Sequence, residues 1–309
     1  IMGGLDLMRS TNAGTSWSYI TPLHVDMHAL AWDAGGRLLS GNDGGVHRST
    51  NVGTSWTSHN NFGVIQFYAG LATHPSNINY MIGGLQDNGS NRRSDGTKNW
   101  TQLFGGDGGW TQIDQTNALR MFVEYQGSGN LYLSTDGGNL FNYAGSGINS
   151  ADRSAFEPPF LIDPLVATKM LYVTHRVYRS INGGTSWTAI SPDLTGGGIA
   201  AIRALAQSPS DPNYVYVATN DGRVQRSTNG GTSFTLVVTG NPGWPRVTRE
   251  LFVHPTQPQT VYLAVAYFGQ THVQRSIDGG QTWVPLDANL PDVPVNVVAV
   301  DVRGALPVI

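Results

Sequence analysis

Ser276-Ile277-Asp278-Gly279-Gly280-Gln281-Thr282-Trp283 is the clearest copy of a pattern, Ser-x-Asn/Asp-x-Gly-x-Ser/Thr-Trp, that returns seven times along this chain of 309 residues. Ser10 to Trp17, Ser49 to Trp56 and Ser180 to Trp187 repeat it closely, while Ser134 to Phe141 and Ser227 to Phe234 put Phe in the Trp position. The copy Ser94 to Trp100 is one residue short and is expected to have lost the standard turn. The opening serines fall at 10, 49, 94, 134, 180, 227 and 276, a spacing of 39 to 49 residues that marks a repeat architecture. One array is expected over 1–309, not two domains.

Each copy has the chemistry of a tight connection between strands. The Asn or Asp can hydrogen-bond its own backbone, Gly supplies a positive φ, and the hydroxyls satisfy loose amides. The aromatic then opens the outgoing strand, where it can bury roughly 150–250 Å² against a neighbouring unit. Upstream of each turn lie short apolar runs such as Leu171-Tyr172-Val173-Thr174, bounded by Pro, Asn, Asp and Gly, with no sustained helical period. A typical unit reads as strand A (Ile202 to Ala206), strand B (Tyr214 to Ala218), strand C (Val224 to Ser227), the repeated turn, and strand D. Four antiparallel strands in each of seven units describe an all-β, seven-bladed β-propeller.

The ends suit a ring. The chain opens at a strand-B-like Ile1-Met2-Gly3-Gly4 and closes on a spare strand A, Val295 to Val302. Pairing that C-terminal strand with the N-terminal blade is expected to close the ring and remove an open edge. Pro307-Val308-Ile309 resembles the start of another strand B and competes with Ile1-Met2 for one slot, so the chain is expected to be part of a longer protein.

Composition narrows the class. Gly makes up 39 residues, charged residues only 13%, and Lys only two (Lys98, Lys169), as in an extracellular, cell-surface or periplasmic β protein. A net charge of −3 with no basic run predicts no nucleic-acid partner. Six arginines (Arg9, Arg48, Arg93, Arg179, Arg226, Arg275) simply precede the repeated serine. The absence of Cys removes disulfides and thiolate metal sites, and no apolar run reaches the roughly 18 residues of a membrane span. Asn88-Gly89-Ser90 and Asn99-Trp100-Thr101 are glycosylation sequons, relevant in a glycosylating secretory route.

The repeated motif resembles the signature of BNR/Asp-box propellers, a family that includes sortilin-type propellers, xyloglucan-cleaving hydrolases built from two facing propellers, and photosystem II assembly factors. Gly83 to Ser90, Gly105 to Gly109 and Ser191 to Thr195 look closest to secreted bacterial members. The resemblance covers the whole chain and implies seven blades, with the motif at the blade periphery as a structural device. It implies too that Asp43, within Gly41-Asn42-Asp43-Gly44-Gly45, matches a segment that carries a catalytic Asp in the two-propeller xyloglucanases.

Function is therefore sought on the face formed by the B–C loops and D–A crossings. That ring brings Leu5-Asp6, Asn42-Asp43, Gln86-Asp87-Asn88, Tyr125-Gln126, His175-Arg176, Asn220-Asp221 and Tyr267-Phe268 to one mouth. The crossings add Asp107, Trp110 and Trp244. Aspartates with Trp, Tyr and Phe on a concave surface suit a sugar ligand. The expected function is an exported, rigid binding module for a glycan or a protein partner within a larger chain or assembly. A glycoside hydrolase using Asp43 with Asp87 or Asp107, and a purely structural or assembly-factor subunit, are the alternatives. A hydrolase would need its carboxyls ~5–5.5 Å apart for retention or ~6.5–9.5 Å for inversion. A sialidase is disfavoured: Arg-Ile-Pro is missing, and the chain has only Glu124, Glu157 and Glu250. His24-Val25-Asp26-Met27-His28, read as a strand, aims three polar side chains at one face and is the candidate metal site. The alternative reading is a hydrogen-bonded polar cluster bracing the crossing. No cofactor is expected beyond a structural Ca²⁺ or other divalent ion at Gly-rich acidic loops such as Asn42 to Gly45.

Overall fold

A computed structural model of the chain describes residues 1–20, 23–59, 66–68, 70–239, 248–304, 307 and 309. Among them there is no helix. The strands fall into seven antiparallel sheets that follow one another along the chain, giving the seven-bladed β-propeller. Blade 1 contains β1 (Met2–Gly3), β2 (Leu7–Arg9) and β3 (Ser18–Tyr19); blade 2 contains β4 (Met27–Trp32), β5 (Leu38–Asn42), β6 (Gly45–Ser49) and β7 (Thr57–Ser58). Blade 3 is built of β8 (Ala72–Thr73), β9 (Met81–Leu85), β10 (Gly89–Arg93) and β11 (Thr101–Phe104). Blade 4 holds β12 (Gly108–Ile113), β13 (Met121–Tyr125), β14 (Leu131–Ser134) and β15 (Asn142–Tyr143). Blade 5 holds β16 (Phe160–Ile162), β17 (Met170–Val173), β18 (Val177–Ser180) and β19 (Thr188–Ala189). Blade 6 runs through β20 (Ile202–Gln207), β21 (Val215–Thr219), β22 (Arg223–Ser227) and β23 (Thr235–Thr239). Blade 7 runs through β24 (Thr248–Val253), β25 (Val261–Val265), β26 (Val273–Ser276) and β27 (Val284–Pro285).

The repeated turn joins the last two strands of each blade. In its first copy Ser10 Oγ accepts the amides of Asn12 and Gly14, Asn12 Oδ1 accepts the Ser16 amide at 2.9 Å, and Asn12 Nδ2 donates to Ser16 Oγ. The serine-to-Gly bond recurs at Ser49, Ser134, Ser180, Ser227 and Ser276, each at 2.8–2.9 Å. The short copy departs as expected: there Asp95, one residue after the serine, accepts the amide and hydroxyl of Thr97.

The core is a series of blade-to-blade interfaces. Phe122 and Leu131 of blade 4 meet Phe160, Tyr172 and Trp187 of blade 5, and Leu171, Val173 and Val177 meet Ile202, Val215 and Val217 of blade 6. Trp187 is the staple the motif predicts, buried with its Nε1 donating to Ala144 O of the preceding blade at 2.8 Å. Trp17 stays exposed, and no residue before Ala72 belongs to these clusters among the described residues.

Arginines tie the blades a second way. Arg9 donates to Val52 O in the turn of blade 2, Arg179 to Gly230 O and Arg226 to Gly279 O, each reaching the turn of the next blade. Where the register differs a neighbour serves: Arg92 donates to Gly137 O at 2.9 Å and Arg120 to Gly183 O at 2.8 Å. At Arg9, Arg179 and Arg226 the arginine before the serine is thus an inter-blade clamp, whereas Arg93 donates to Asn79 Oδ1 of its own blade at 3.3 Å.

The C-terminal segment differs from its expected strand. Within Val295 to Val302 only Asp301 sits in a β-bridge, and blade 1 has three strands. The segment lies extended against blade 7, where Val295 N donates to Val265 O at 3.0 Å and Val298 and Val300 bury beside Tyr262, Ala264 and Val273. Alternating valines find an apolar face there. Pro307 and Ile309 are outside any strand, and Val308 lies outside the described residues.

Candidate functional site

Blades 2, 3 and 4 assemble the site from three loops. Asp43 stands in the turn between β5 and β6, Asp87 in the loop between β9 and β10, and Asp107 in the crossing from β11 to β12. They can meet because glycine lets the backbones of blades 3 and 4 approach: a Cβ on Gly84 would lie 2.0 Å from Gly109 O and 2.3 Å from Gly108 O. Asp87 itself adopts a left-handed backbone, φ 59°, which Asp tolerates, and its amide donates to Asp107 Oδ1 at 2.9 Å. Asn88 Nδ2 donates to Asp43 O at 3.1 Å and to Gln86 O at 3.0 Å, tying the two loops together.

The Asp87 carboxyl has those of Asp43 and Asp107 as its acidic neighbours. Burial first, and then the charges of Asp43 and Asp107, push the Asp87 carboxyl up to about 6, so it keeps its proton into mildly acidic solution. Tyr68 donates its hydroxyl to Asp107 Oδ1 at 3.4 Å, and burial with the charges of Asp107, Glu157 and Asp87 lifts that phenol to about 12. Beneath the crossing, Glu124 is fully buried and held well above the usual carboxylate range by desolvation; it accepts the Trp110 amide at 3.0 Å. Phe156 meets the Tyr68 ring edge-on at 6.1 Å and, like Tyr125 over Gly106, presents an exposed aromatic face.

The candidate metal segment is arranged differently from the expected strand. Asp26 has φ 61°, so the strand starts only at Met27 and the alternation that would align His24, Asp26 and His28 is broken. His24 Nε2 lies 2.9 Å from Asp87 O, His28 Nε2 contacts Asp43 Oδ1, and the Asp26 amide donates to Leu5 O. The histidines brace the acidic loops, as the polar-cluster reading has it. Among the described residues no group of three or more His, Asp or Glu is disposed to hold a metal ion.

The other predicted residues spread around the mouth. Asn42 is buried and shapes its own turn through Gly44 N, and Trp110 packs into the interface of blades 4 and 5. Gln126 accepts Asn130 through its backbone. His175 is buried; Arg176 pairs with the buried Asp152 at 3.1 Å, and Asp221 accepts Gly196 N and Arg223. Tyr267 and Phe268 are exposed on blade 7. Trp244 lies outside the described residues. Sequence reading missed Tyr68, Phe156 and Asp152, which carry no motif and reach their sites only through folding.

No family model and no curated protein sequence matches the chain. Among solved structures it is similar to the GH74 xyloglucanase from Xanthomonas campestris, at 15% identity and TM-score 0.54 over 94% of this chain and 50% of that one. It is similar to YCF48 from Cyanidioschyzon merolae at 13% identity and TM-score 0.54 over 89% of each chain. A YCF48 bound to D1 peptide aligns at 15% identity and TM-score 0.51 over 89% of this chain and 86% of that one. The chain spans 36% and 50% of the length of two GH74 structures it resembles. At these identities the likeness concerns fold, and by fold the chain is similar to the β-propellers of GH74 enzymes and of YCF48.

Proposed function

We propose that this propeller is an exported binding module whose mouth over blades 2 to 4 takes a glycan. The observation that carries the reading is Asp87 held between Asp43 and Asp107 beside the exposed rings of Tyr125 and Phe156. Asp87, raised to about 6, donates a hydrogen bond when protonated and accepts them when ionised, which matches vicinal sugar hydroxyls, and the rings offer flat apolar faces to the sugar. The repeated turn is read as an Asp-box, supported by its common hydrogen-bond pattern in six copies.

A second reading, capture of a protein segment within a larger assembly, is favoured by the alignment over nearly the whole of both chains with YCF48, one of whose structures holds a D1 peptide. A glycan array and a polysaccharide pull-down, assayed in parallel for released reducing ends with wild type, Asp43→Ala and Asp87→Asn, separate these. Binding without release, weakened at least tenfold in either variant, is the expected result. Release lost in the variants would establish a hydrolase, and silence on every glycan would turn the assignment to a protein partner.

A further inference from the structure

Among the four-stranded blades, blade 7 carries the longest loop between second and third strands, residues 266–272, against two to five residues in the others. Two successive aromatics in it are turned to solvent: Tyr267 is 52% exposed and Phe268 60%. Beside them opens a shallow pocket of about 490 Å³ whose walls include Gln270, Thr271, His272, Asp287 and Asp292.

The loop is held in a defined shape. Gly269 N donates to Asp292 Oδ1 at 2.6 Å, His272 N to Asp287 Oδ2 at 2.7 Å, and His272 Nε2 lies 3.2 Å from Asp292 Oδ1. His272 is 3% exposed, and its Nδ1 has no partner. Each aspartate therefore spends one oxygen on the loop, and among the described residues Asp287 Oδ1 and Asp292 Oδ2 make no hydrogen bond. The loop's Gly269 and His272 amides are already taken, so it offers them to no extended peptide for main-chain pairing. What it offers outward is an aromatic face with two carboxylate acceptors and the Gln270 and Thr271 side chains. That set is matched by a ligand that is apolar on one face and rich in hydroxyl donors at its edge.

We propose that blade 7 holds a second binding site, for a neutral oligosaccharide, in which Tyr267 and Phe268 stack on a sugar ring while Asp287 and Asp292 accept its hydroxyls. It rests on the glycan reading above for its ligand class but uses none of the same residues. Calorimetric titration of the intact protein with neutral hexasaccharides chosen from the array tests it, using wild type, the double variant Tyr267→Ala/Phe268→Ala, Asp292→Asn and Asp87→Asn. The aromatic changes lie on exposed side chains, and circular dichroism with thermal melting checks that each variant folds. A loss of affinity of tenfold or more in the aromatic variant, with a smaller loss in Asp292→Asn and no response to 0.5 M NaCl, is expected. Unchanged binding in the aromatic variant together with loss in Asp87→Asn would overturn the blade 7 site and leave the mouth over blades 2 to 4 standing. Binding abolished by salt would overturn stacking and hydroxyl pairing with a neutral sugar as the basis of the contact. No binding of any hexasaccharide by wild type would overturn both.

Discussion

Asp87 combines a left-handed backbone with a carboxyl pressed against two others, and both properties have consequences at the level of one side chain. Its folded-state value, about 6, lies above the ordinary aspartate value of 3.8. The folded protein thus binds this proton more tightly than the unfolded chain; the associated stability is complete below about pH 4 and is lost as pH rises through 6. Asp87→Asn keeps the tolerance for a positive φ and removes the ionisable group. It is expected to stabilise the protein at pH 8 by about 1 kcal/mol, the gross linkage of roughly 3 kcal/mol being reduced by solvent screening, and to be near neutral at pH 4. Urea unfolding at the two pH values checks this; equal effects at both would show that charge crowding is not the cause.

The elements stay together through contacts that join one blade to the next. Gly84 on β9 faces the carbonyls of Gly108 and Gly109 on β12, a backbone-to-backbone approach in which neither side can yield by rotating a side chain. Gly84→Ala is expected to cost about 2–3 kcal/mol, the scale of overpacking, and to separate Asp87 from Asp107, so ligand binding should fall with stability. Binding that survives the substitution at full affinity would contradict the idea that this packing positions the site. The arginine clamps act on the same scale. Arg226 donates through Nη1 to Gly279 O at 3.0 Å and to Asp278 O at 3.3 Å, and Arg226→Ala should destabilise by about 1–2 kcal/mol, with Arg226→Lys recovering only part of it because the planar fork is lost. Denaturant midpoints for the three proteins measure both expectations.

Across the whole molecule two kinds of carboxyl set the pH profile. Asp278, held by Thr282 and Ser276 at about 2, loses its contribution as pH falls toward that value, and Asp33, Asp114 and Asp136 are lowered in the same direction. Glu250, lifted to about 7 by burial, works oppositely, with stability complete below the ordinary glutamate value of 4.5 and lost as pH rises through 7. With Asp87 adding to the second group, the stability maximum should fall between about pH 4 and 6, which a series of thermal melts would show; a maximum above pH 8 would refute it. Glu250 Oε2 accepts Val298 N at 3.3 Å, so it links the profile to the C-terminal segment. Glu250→Gln should flatten the alkaline side, and the protection factors at residues 295–302, which correct for the base-catalysed rise of intrinsic exchange, should then no longer fall between pH 6 and 8.

How much was legible in advance divides along the same physical line. Blade number, strand order and the repeated turn were determined by the sequence alone, because each depends on a period or on hydrogen bonds between residues two to four apart, as from Ser10 to Gly14. Asp43, Asp87 and Asp107 could be nominated from their Gly-rich loops, but their contact depends on how closely blades 3 and 4 approach, a distance set by Gly84 and by no local rule. In the histidine segment one left-handed residue, Asp26, breaks the alternation the sequence suggests, and of the two readings open there the polar cluster describes the contacts. Tyr68, Phe156, the arginine clamps and the resting place of Val295 to Val302 were decided only by the tertiary structure. Each depends on which surfaces, distant in the chain, become neighbours when apolar strands bury against one another.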